Sequence, residues 1–282
     1  MVNNVDTYRF SNALGYTFEQ LAEMHNESFT GYFVPITMTP AQVADFWRVN
    51  QINATRCVVM HAANNAFVGM ARMGTRGTRS WCGGFGIVPE FRGTGASTLL
   101  ANEMVRVALN SGVEQLQLEV LSQNSRAIKL YERAGFVKQR RLLGLQITTS
   151  ELPVSTVTMP VIERVALESC LSLFQHHTDR QSWGRELASL LAMDTEAFVT
   201  SSPDGQQSAI IVQRANDTIR LLAVLLPTQS THAVLATLLH AIAADATTIQ
   251  IYNEPEDGSL FQLYLDLGFT EFFSQYEMFL NL

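Results

Sequence analysis

The apolar positions of this chain switch repeatedly between a two-residue and a three-to-four-residue period, the signature of strands alternating with helices. Residues 7–13 (TYRFSNA) read as a short strand. Thr17 then caps a helix with apolar positions Phe18, Leu21, Ala22 and Met24, and Gln20 completes a capping box. A loop containing Pro35 follows, and Thr39-Pro40 opens a second helix with Val43, Phe46 and Trp47 on one face. Residues 57–61 and 66–73 read as two strands of a hairpin joined by AANNA. The strand over 80–88 is interrupted by Gly83, Gly84 and Gly86, which mark a bulge or the close approach of a ligand to the backbone. Helix 97–110, strand 114–120, helix 124–134 and a strand from 136 toward 147 complete the first half.

Residues 148–159 (TTSELPVSTVTM) break this rhythm: they are polar, contain Pro153 and have little helical period. They divide the chain into a domain over 1–148, a linker over 149–159 and a second domain over 160–282. In the second domain helical patterns occupy 160–176 and 180–193, and strands 196–201, 207–213 and 218–226. Helix 229–245, strand 247–252, helix 258–267 and strand 270–281 follow, so the order of the first half recurs. LQLEVLSQNSRAIKLYERAGF in one half faces TIQIYNEPEDGSLFQLYLDLGF in the other. Leu130-Tyr131 precede Gly135-Phe136 as Leu263-Tyr264 precede Gly268-Phe269. An internal duplication of one α/β unit with a mixed sheet explains this.

Charge separates what the fold pattern repeats. Residues 1–148 hold 14 Lys/Arg against 10 Asp/Glu, a net +4, whereas 149–282 hold 5 against 16, a net −11. The first half suits an anionic ligand; the second either draws in a cationic one or simply keeps the surface soluble. No basic stripe with interleaved aromatics points to nucleic acid, and no apolar run is long enough for a membrane span. Cys57, Cys82 and Cys170 are widely spaced without C-x-x-C, and the N-terminus lacks a signal-peptide pattern, so a reducing cytoplasm is expected. His176, His177, His232 and His240 have no carboxylate or cysteine at a readable ligand spacing, so no metal is expected.

The chemistry concentrates in 85–136. An apolar strand runs into Arg92-Gly93-Thr94-Gly95-Ala96-Ser97, and a helix opens at once. Glycines there allow a tight turn, and the first amides of the helix point at whatever lies before it, with the positive end of the helix dipole behind them. Such a turn either holds an anion such as a phosphate or pyrophosphate or is a structural turn without a ligand. Downstream, LEV is followed by N-x-x-A-x-x-x-Y-x-x-x-G-F, met by Leu118, Glu119, Val120, Asn124, Ala127, Tyr131, Gly135 and Phe136.

These two blocks, in this order, resemble the GCN5-related N-acetyltransferase (GNAT) superfamily, whose turn signature is R/Q-x-x-G-x-G/A. The resemblance covers residues 7–147 well and 160–282 faintly, and it implies two tandem GNAT-like acyl-CoA N-acyltransferase domains. Ser97 departs from the pattern, standing where the family has Gly or Ala; it is small, a good N-cap type, and its hydroxyl can donate to a phosphate. The resemblance implies acetyl-CoA as cosubstrate, its pyrophosphate on the 92–97 turn and its pantetheine arm along Ile87 and Val88, beside Asn124 and Ala127. An amide near Val88 would stabilise charge on the thioester carbonyl, in a cleft where the fourth and fifth strands splay apart. Tyr131 is the implied acid for the departing thiolate and Glu119 the implied base for the acceptor ammonium. Read on the residues alone, Tyr131 serves equally as a packed helix tyrosine and Glu119 as a half-exposed strand carboxylate.

Acceptor contacts in the family come from the first two helices and their connection, where Glu27, Tyr32, Phe33 and Trp47 lie; Phe33 and Trp47 are equally core residues. The second half reads LLPTQSTHAVLATLLHAIAADA where the glycine turn belongs, with no glycine, and is expected to be a degenerate repeat that binds no CoA. The implied activity is transfer of acetyl to a primary amine of a small molecule or peptide by direct attack in a ternary complex. A polyamine, an aminoglycoside or a basic peptide would suit the acidic half. The alternative is an acyl-CoA sensor without turnover; a further one keeps an enzyme but with longer acyl groups or a hydroxyl acceptor.

Overall fold

The structure, a computed structural model, describes residues 8–34, 36–154, 161–174, 180–202, 205–227, 232–243 and 245–282. Contacts group the chain into two units, Met1–Gln139 with Tyr276–Leu282, and Arg140–Gln275.

The first unit contains β1 (Tyr8–Ser11), α1 (Phe18–Ser28), α2 (Pro40–Val49), β2 (Val58–Ala62), β3 (Phe67–Arg76), β4 (Arg79–Ile87), α3 (Ala96–Asn110), β5 (Gln115–Leu121) and α4 (Ser125–Arg133). Both early helices begin where the sequence signals them: Thr17 with Gln20, and Thr39 with Gln42, form reciprocal capping boxes. The strands lie in the order β1-β2-β3-β4-β5, with the chain's C-terminal residues beside β5, where Leu282 N–H donates to Glu114 O at 2.9 Å. One face of this sheet buries Leu100 and Met104 of α3 with Leu116, Leu118, Ile128 and Tyr131. The other buries Leu21 and Ala22 of α1 and Val43 and Trp47 of α2 with Val59 and Met70.

Two irregularities shape the centre of this sheet. The β3–β4 register slips between Arg72↔Gly84 and Met73↔Cys82, leaving Gly83 as an extra, bulged residue. Parallel pairing of β4 with β5 runs from Arg79↔Gln115 to Cys82↔Leu118 and goes no further, although β4 continues to Ile87 and β5 to Leu121. Beyond the bulge the two strands part. This is the splay expected from the resemblance.

The second unit receives most of β6 (Val137–Thr148), then β7 (Glu163–Val165), α5 (Leu167–Phe174), α6 (Leu187–Leu190), β8 (Glu196–Ser201), β9 (Gln207–Ala215), β10 (Thr218–Leu225), α7 (His232–Ile242), β11 (Thr248–Pro255), α8 (Phe261–Asp266) and the start of β12 (Thr270–Asn281). Its central irregularities repeat those of the first unit. The β9–β10 register slips around Leu222, and parallel pairing of β10 with β11 ends at Leu221↔Ile251. The shared Leu-Tyr and Gly-Phe also acquire a physical reason. Gly135 (φ +95°) and Gly268 (φ +96°) end α4 and α8 in the left-handed region. Phe136 N–H returns to Tyr131 O and Phe269 N–H to Tyr264 O, both at 3.0 Å. The ring pairs that accompany such a helix stop are 5.8 and 5.5 Å apart.

The helices expected over 160–176 and 180–193 are mostly absent from the described residues. In their place are β7, the eight residues of α5, a 3₁₀ turn at Trp183–Arg185 and the single turn of α6. Trp183 of the 3₁₀ turn is fully buried, and Arg185 donates from it to Leu222 O at 2.9 Å. Residues 176 and 177, two of the four histidines considered for metal, lie outside the described residues, as do Pro35 and Thr7.

Candidate active site

The 92–97 turn folds as its glycines suggest. Gly93 (φ +80°) and Gly95 (φ +93°) both occupy the left-handed region, and Gly95 is the N-cap of α3. Thr94 Oγ1 donates to Phe91 O at 2.7 Å and closes the loop. The amides from Gly93 to Ser97 donate to no acceptor among the described residues. Consecutive free N–H groups before a 15-residue helix form a concave anion site that fits a pyrophosphate. Ser97 lies inside the helix rather than at its cap. Arg92, expected to be a cofactor contact, has its guanidinium otherwise engaged: it donates to Ile87 O at 2.9 Å, Ser28 O at 3.1 Å and Thr30 O at 2.7 Å. It braces the turn against the end of β4 and the end of α1.

An amide near Val88 is expected to meet the thioester; Val88 N–H itself donates to Val68 O at 2.9 Å and is engaged. Strand alternation turns the neighbouring Ile87 N–H the other way, toward the edge that β5 has left. Ile87 N–H is thus the amide next to Val88 that stays free at the splay among the described residues.

Tyr131 comes to this place on α4. It is buried, its ring stands edge-on to Phe85 of β4 at 5.7 Å, and burial raises its phenol well above the usual value of 10, with Cys82 and Tyr32 as smaller causes. Its proton is therefore held firmly at neutral pH. Asn124 caps α4 by accepting from Ala127 N–H at 3.1 Å. Its side chain also meets the Tyr32 hydroxyl, whose pKa burial raises despite that bond. Tyr32, from the α1–α2 connection, thus joins Asn124, Ala127 and Tyr131.

Glu119 belongs to the opposite face of the sheet, because on β5 Leu116, Leu118 and Val120 fill the α3–α4 core. Trp81 Nε1 donates to Glu119 Oε2 at 2.6 Å. Trp81 is buried and tilted against Phe46 of α2 at 6.0 Å. Phe46 also lies under the Arg72 guanidinium, 4.7 Å away. Gly83 and Gly84 make this possible: a Cβ at Gly83 would overlap the Trp81 ring, and one at Gly84 the Arg72 guanidinium. Arg72, Phe46, Trp81 and Glu119 form a wall beside the bulge. Of these the sequence marked Glu119 as a base and Phe46 only as an apolar face of its helix, and the Gly83-Gly84 pair was the one local signal that large side chains lie flat here.

Two expected acceptor residues stand apart. Trp47 is core, packed with Val43, Cys57, Val59 and Met70 and edge-on to Phe18 at 5.8 Å; α2 instead brings Phe46 to the wall. Glu27 is exposed on α1. His232 pairs with Asp266 at 2.8 Å, and His240 bonds Pro153 O at 3.0 Å. Among the described residues no helix is long and apolar enough to cross a membrane.

The matching splay of the second unit is bridged by its own side chains. Arg185 Nε donates to Leu222 O, the carbonyl of the bulged residue on β10, at 2.9 Å. Its Nη1 reaches Asn253 O of β11 at 3.4 Å and forms a buried ion pair with Glu254. Tyr264, at the position of Tyr131, is fully buried, and its hydroxyl has no hydrogen-bond partner among the described residues.

Residues 18–136 match the model of the acetyltransferase (GNAT) family. N-alpha-acetyltransferase 30 of Schizosaccharomyces pombe is 38% identical over 69 residues, 24% of this chain and 46% of that protein. Thialysine N-epsilon-acetyltransferase of Mus musculus is 39% identical over 49 residues, 17% of this chain and 29% of that protein. The chain thus spans less than half the length of these curated relatives. Among solved structures, a GCN5-related N-acetyltransferase from Sphaerobacter thermophilus superposes with a TM-score of 0.67 at 13% identity, covering 97% of this chain and 95% of that one. A tandem GNAT protein from the clavulanic acid biosynthesis pathway gives 0.68 at 11%, covering 97% and 98%. At these identities the two structures speak for the fold.

Proposed function

We propose that this chain, whose residues 18–136 belong to the acetyltransferase (GNAT) family, is an N-acetyltransferase that uses acetyl-CoA to acylate a primary amine of a small molecule or peptide. The observation that carries the reading is the end of β4–β5 pairing at Cys82↔Leu118. It frees the edge of β4 that carries Ile87 N–H, with the free-amide turn beyond its end, Tyr131 on the α4 face of the sheet and Glu119 on the other face. The N-acetyltransferase names of the curated relatives favour an amine over a hydroxyl acceptor.

The amides from Gly93 to Ser97 would hold the pyrophosphate, and Asn124 and Ala127 would flank the pantetheine arm. When bound, acetyl-CoA supplies an activated acyl carbon and a thiolate leaving group. Glu119, directly or through one water, takes the proton that the acceptor ammonium must lose before its nitrogen lone pair can attack. Ile87 N–H faces the carbonyl oxygen as it becomes negative. Tyr131 gives its hydroxyl hydrogen to the departing sulfur as the carbon–sulfur bond breaks. Tyr32, whose hydroxyl meets Asn124, would lie toward the entering amine.

We assign catalysis to 1–148 and treat 160–282 as a degenerate repeat that takes no CoA, because Arg185 and Glu254 tie β10 to β11. The acidic second half would favour cationic acceptors; neutralising its carboxylates should then raise the acceptor KM.

Thermal shift with CoA, acetyl-CoA and longer acyl-CoAs, followed by thiol release with a panel of amines, tests the reading. Ligand at about a hundredfold over Kd stabilises by about 2.7 kcal/mol, a shift of several degrees. No shift with any of them sinks it. Tyr131→Phe should lower kcat by roughly 10²-fold or more while the acetyl-CoA shift persists. A shift without turnover on any amine would mark an acyl-CoA sensor instead.

A further inference from the structure

Arg72 is the least explained charge in the first unit. It projects from β3 and is 4% exposed. Its Nη2 donates to Gly83 O at 3.3 Å, and its Nη1 approaches only a weak acceptor, Met38 Sδ, at 3.8 Å. Its Nε is buried with no acceptor among the described residues. Phe46 at 4.7 Å and Phe29 at 6.0 Å face the guanidinium with their rings. No carboxylate among the described residues pairs with it, and its burial disfavours the charge. Its field also helps hold neighbouring His25 neutral. A desolvated cation left with so few partners is costly unless a ligand supplies the missing anion. The other buried arginine at a bulge gives the comparison: Arg185 meets the Leu222 carbonyl as Arg72 meets that of Gly83, but Arg185 has Glu254.

Phe46 touches Arg72 on one side and Trp81 on the other, and Trp81 holds Glu119. A molecule lying along this wall would meet a base at one end and an unpaired guanidinium fork at the other. We infer that the acceptor is an amino-acid-like molecule, its amine directed at Glu119 and its carboxylate received by Arg72. This rests on the acetyltransferase reading above. A planar carboxylate fits the guanidinium fork with two parallel hydrogen bonds, which a sulfur and a single carbonyl do not. A phosphate on the acceptor shares the charge but not the planarity.

Matched acceptors test this: lysine against cadaverine, ornithine against putrescine, β-alanine against ethylamine, with phosphoethanolamine as the phosphate arm. With wild-type protein, at least one carboxylated acceptor should exceed its decarboxylated partner in kcat/KM by roughly tenfold or more. The same acceptor should further raise the melting temperature of the CoA-loaded protein. Arg72→Gln should bring the ratio toward one through KM, with the acetyl-CoA shift retained, and Arg72→Lys should recover part of it. Equal or better use of the decarboxylated partners overturns the inference, as does a ratio that survives Arg72→Gln. Failure of every carboxylated acceptor to stabilise the CoA-loaded protein also overturns it, and preference for phosphoethanolamine replaces carboxylate by phosphate. If Arg72→Gln does not fold, the wild-type ratios decide. Loss of the acetyl-CoA shift in wild type would instead remove the underlying catalytic reading.

Discussion

Replacing His25 by leucine should flatten the acid limb of the first unit's stability. His25 lies on the buried side of α1, 1% exposed, with its ring 4.6 Å from that of Phe29. Burial first, and the Arg72 charge second, lower its pKa to about 3, against partial support from the Ile36 backbone. An unfolded chain binds the proton near pH 6.5, and the folded one does not until about pH 3. The folded pKa is depressed below the unfolded one, so stability is intact above 6.5 and is lost as the pH falls from 6.5 toward 3. At pH 5 the loss is about 1.5 units at 1.36 kcal/mol each, or about 2 kcal/mol. Hydrogen exchange in urea, followed on peptides from β2 to β5, reads the unfolding free energy of this unit at pH 7, 6 and 5. Other titrating groups, among them His61, are common to wild type and His25→Leu and cancel in the difference of slopes. Wild type should lose about 2 kcal/mol more than the variant between pH 7 and 5. Parallel losses would mean that the imidazole titrates normally in the fold, and the reasoning would fail.

Glu254→Gln removes the charged partner of buried Arg185 and should destabilise the second unit by about 3–5 kcal/mol, read as exchange in β10 and β11 peptides, without weakening the acetyl-CoA shift. Gly83→Ala forces the Trp81 ring off the bulge, so urea melts should show a loss of about 1–3 kcal/mol. The displaced indole would also leave Glu119, and steady-state kinetics should give a lower kcat with the KM for acetyl-CoA little changed. A Cβ at Gly95 meets nothing within 4 Å, so the penalty of Gly95→Ala comes from its φ of +93°. We expect about 1–2 kcal/mol of strain relieved by reshaping the turn, hence a diminished acetyl-CoA shift.

What the sequence determined by itself is whatever a segment settles with its near neighbours. Thr17 with Gln20 and Thr39 with Gln42 start helices through bonds spanning three residues. Gly93 and Gly95 make the anion turn, and Gly135-Phe136 and Gly268-Phe269 stop helices within one turn. These local devices carried the family resemblance and revealed the duplication. Tertiary structure alone decided which side chains share a site, because strand pairing and buried charge compensation join residues far apart in the chain. A bulge at Gly83 can be suspected from glycine content, but the loss of β5 as a partner beyond Cys82 depends on a strand more than 30 residues later. Separation along the chain likewise hid the engagement of Val88 N–H by Val68, the meeting of Trp81 with Glu119, and the return of 276–282 to the first unit. Arg72 and Arg185 look alike as letters. One has a carboxylate placed beside it by a strand some 70 residues away and the other has none among the described residues, and that difference exists only once the chain is folded.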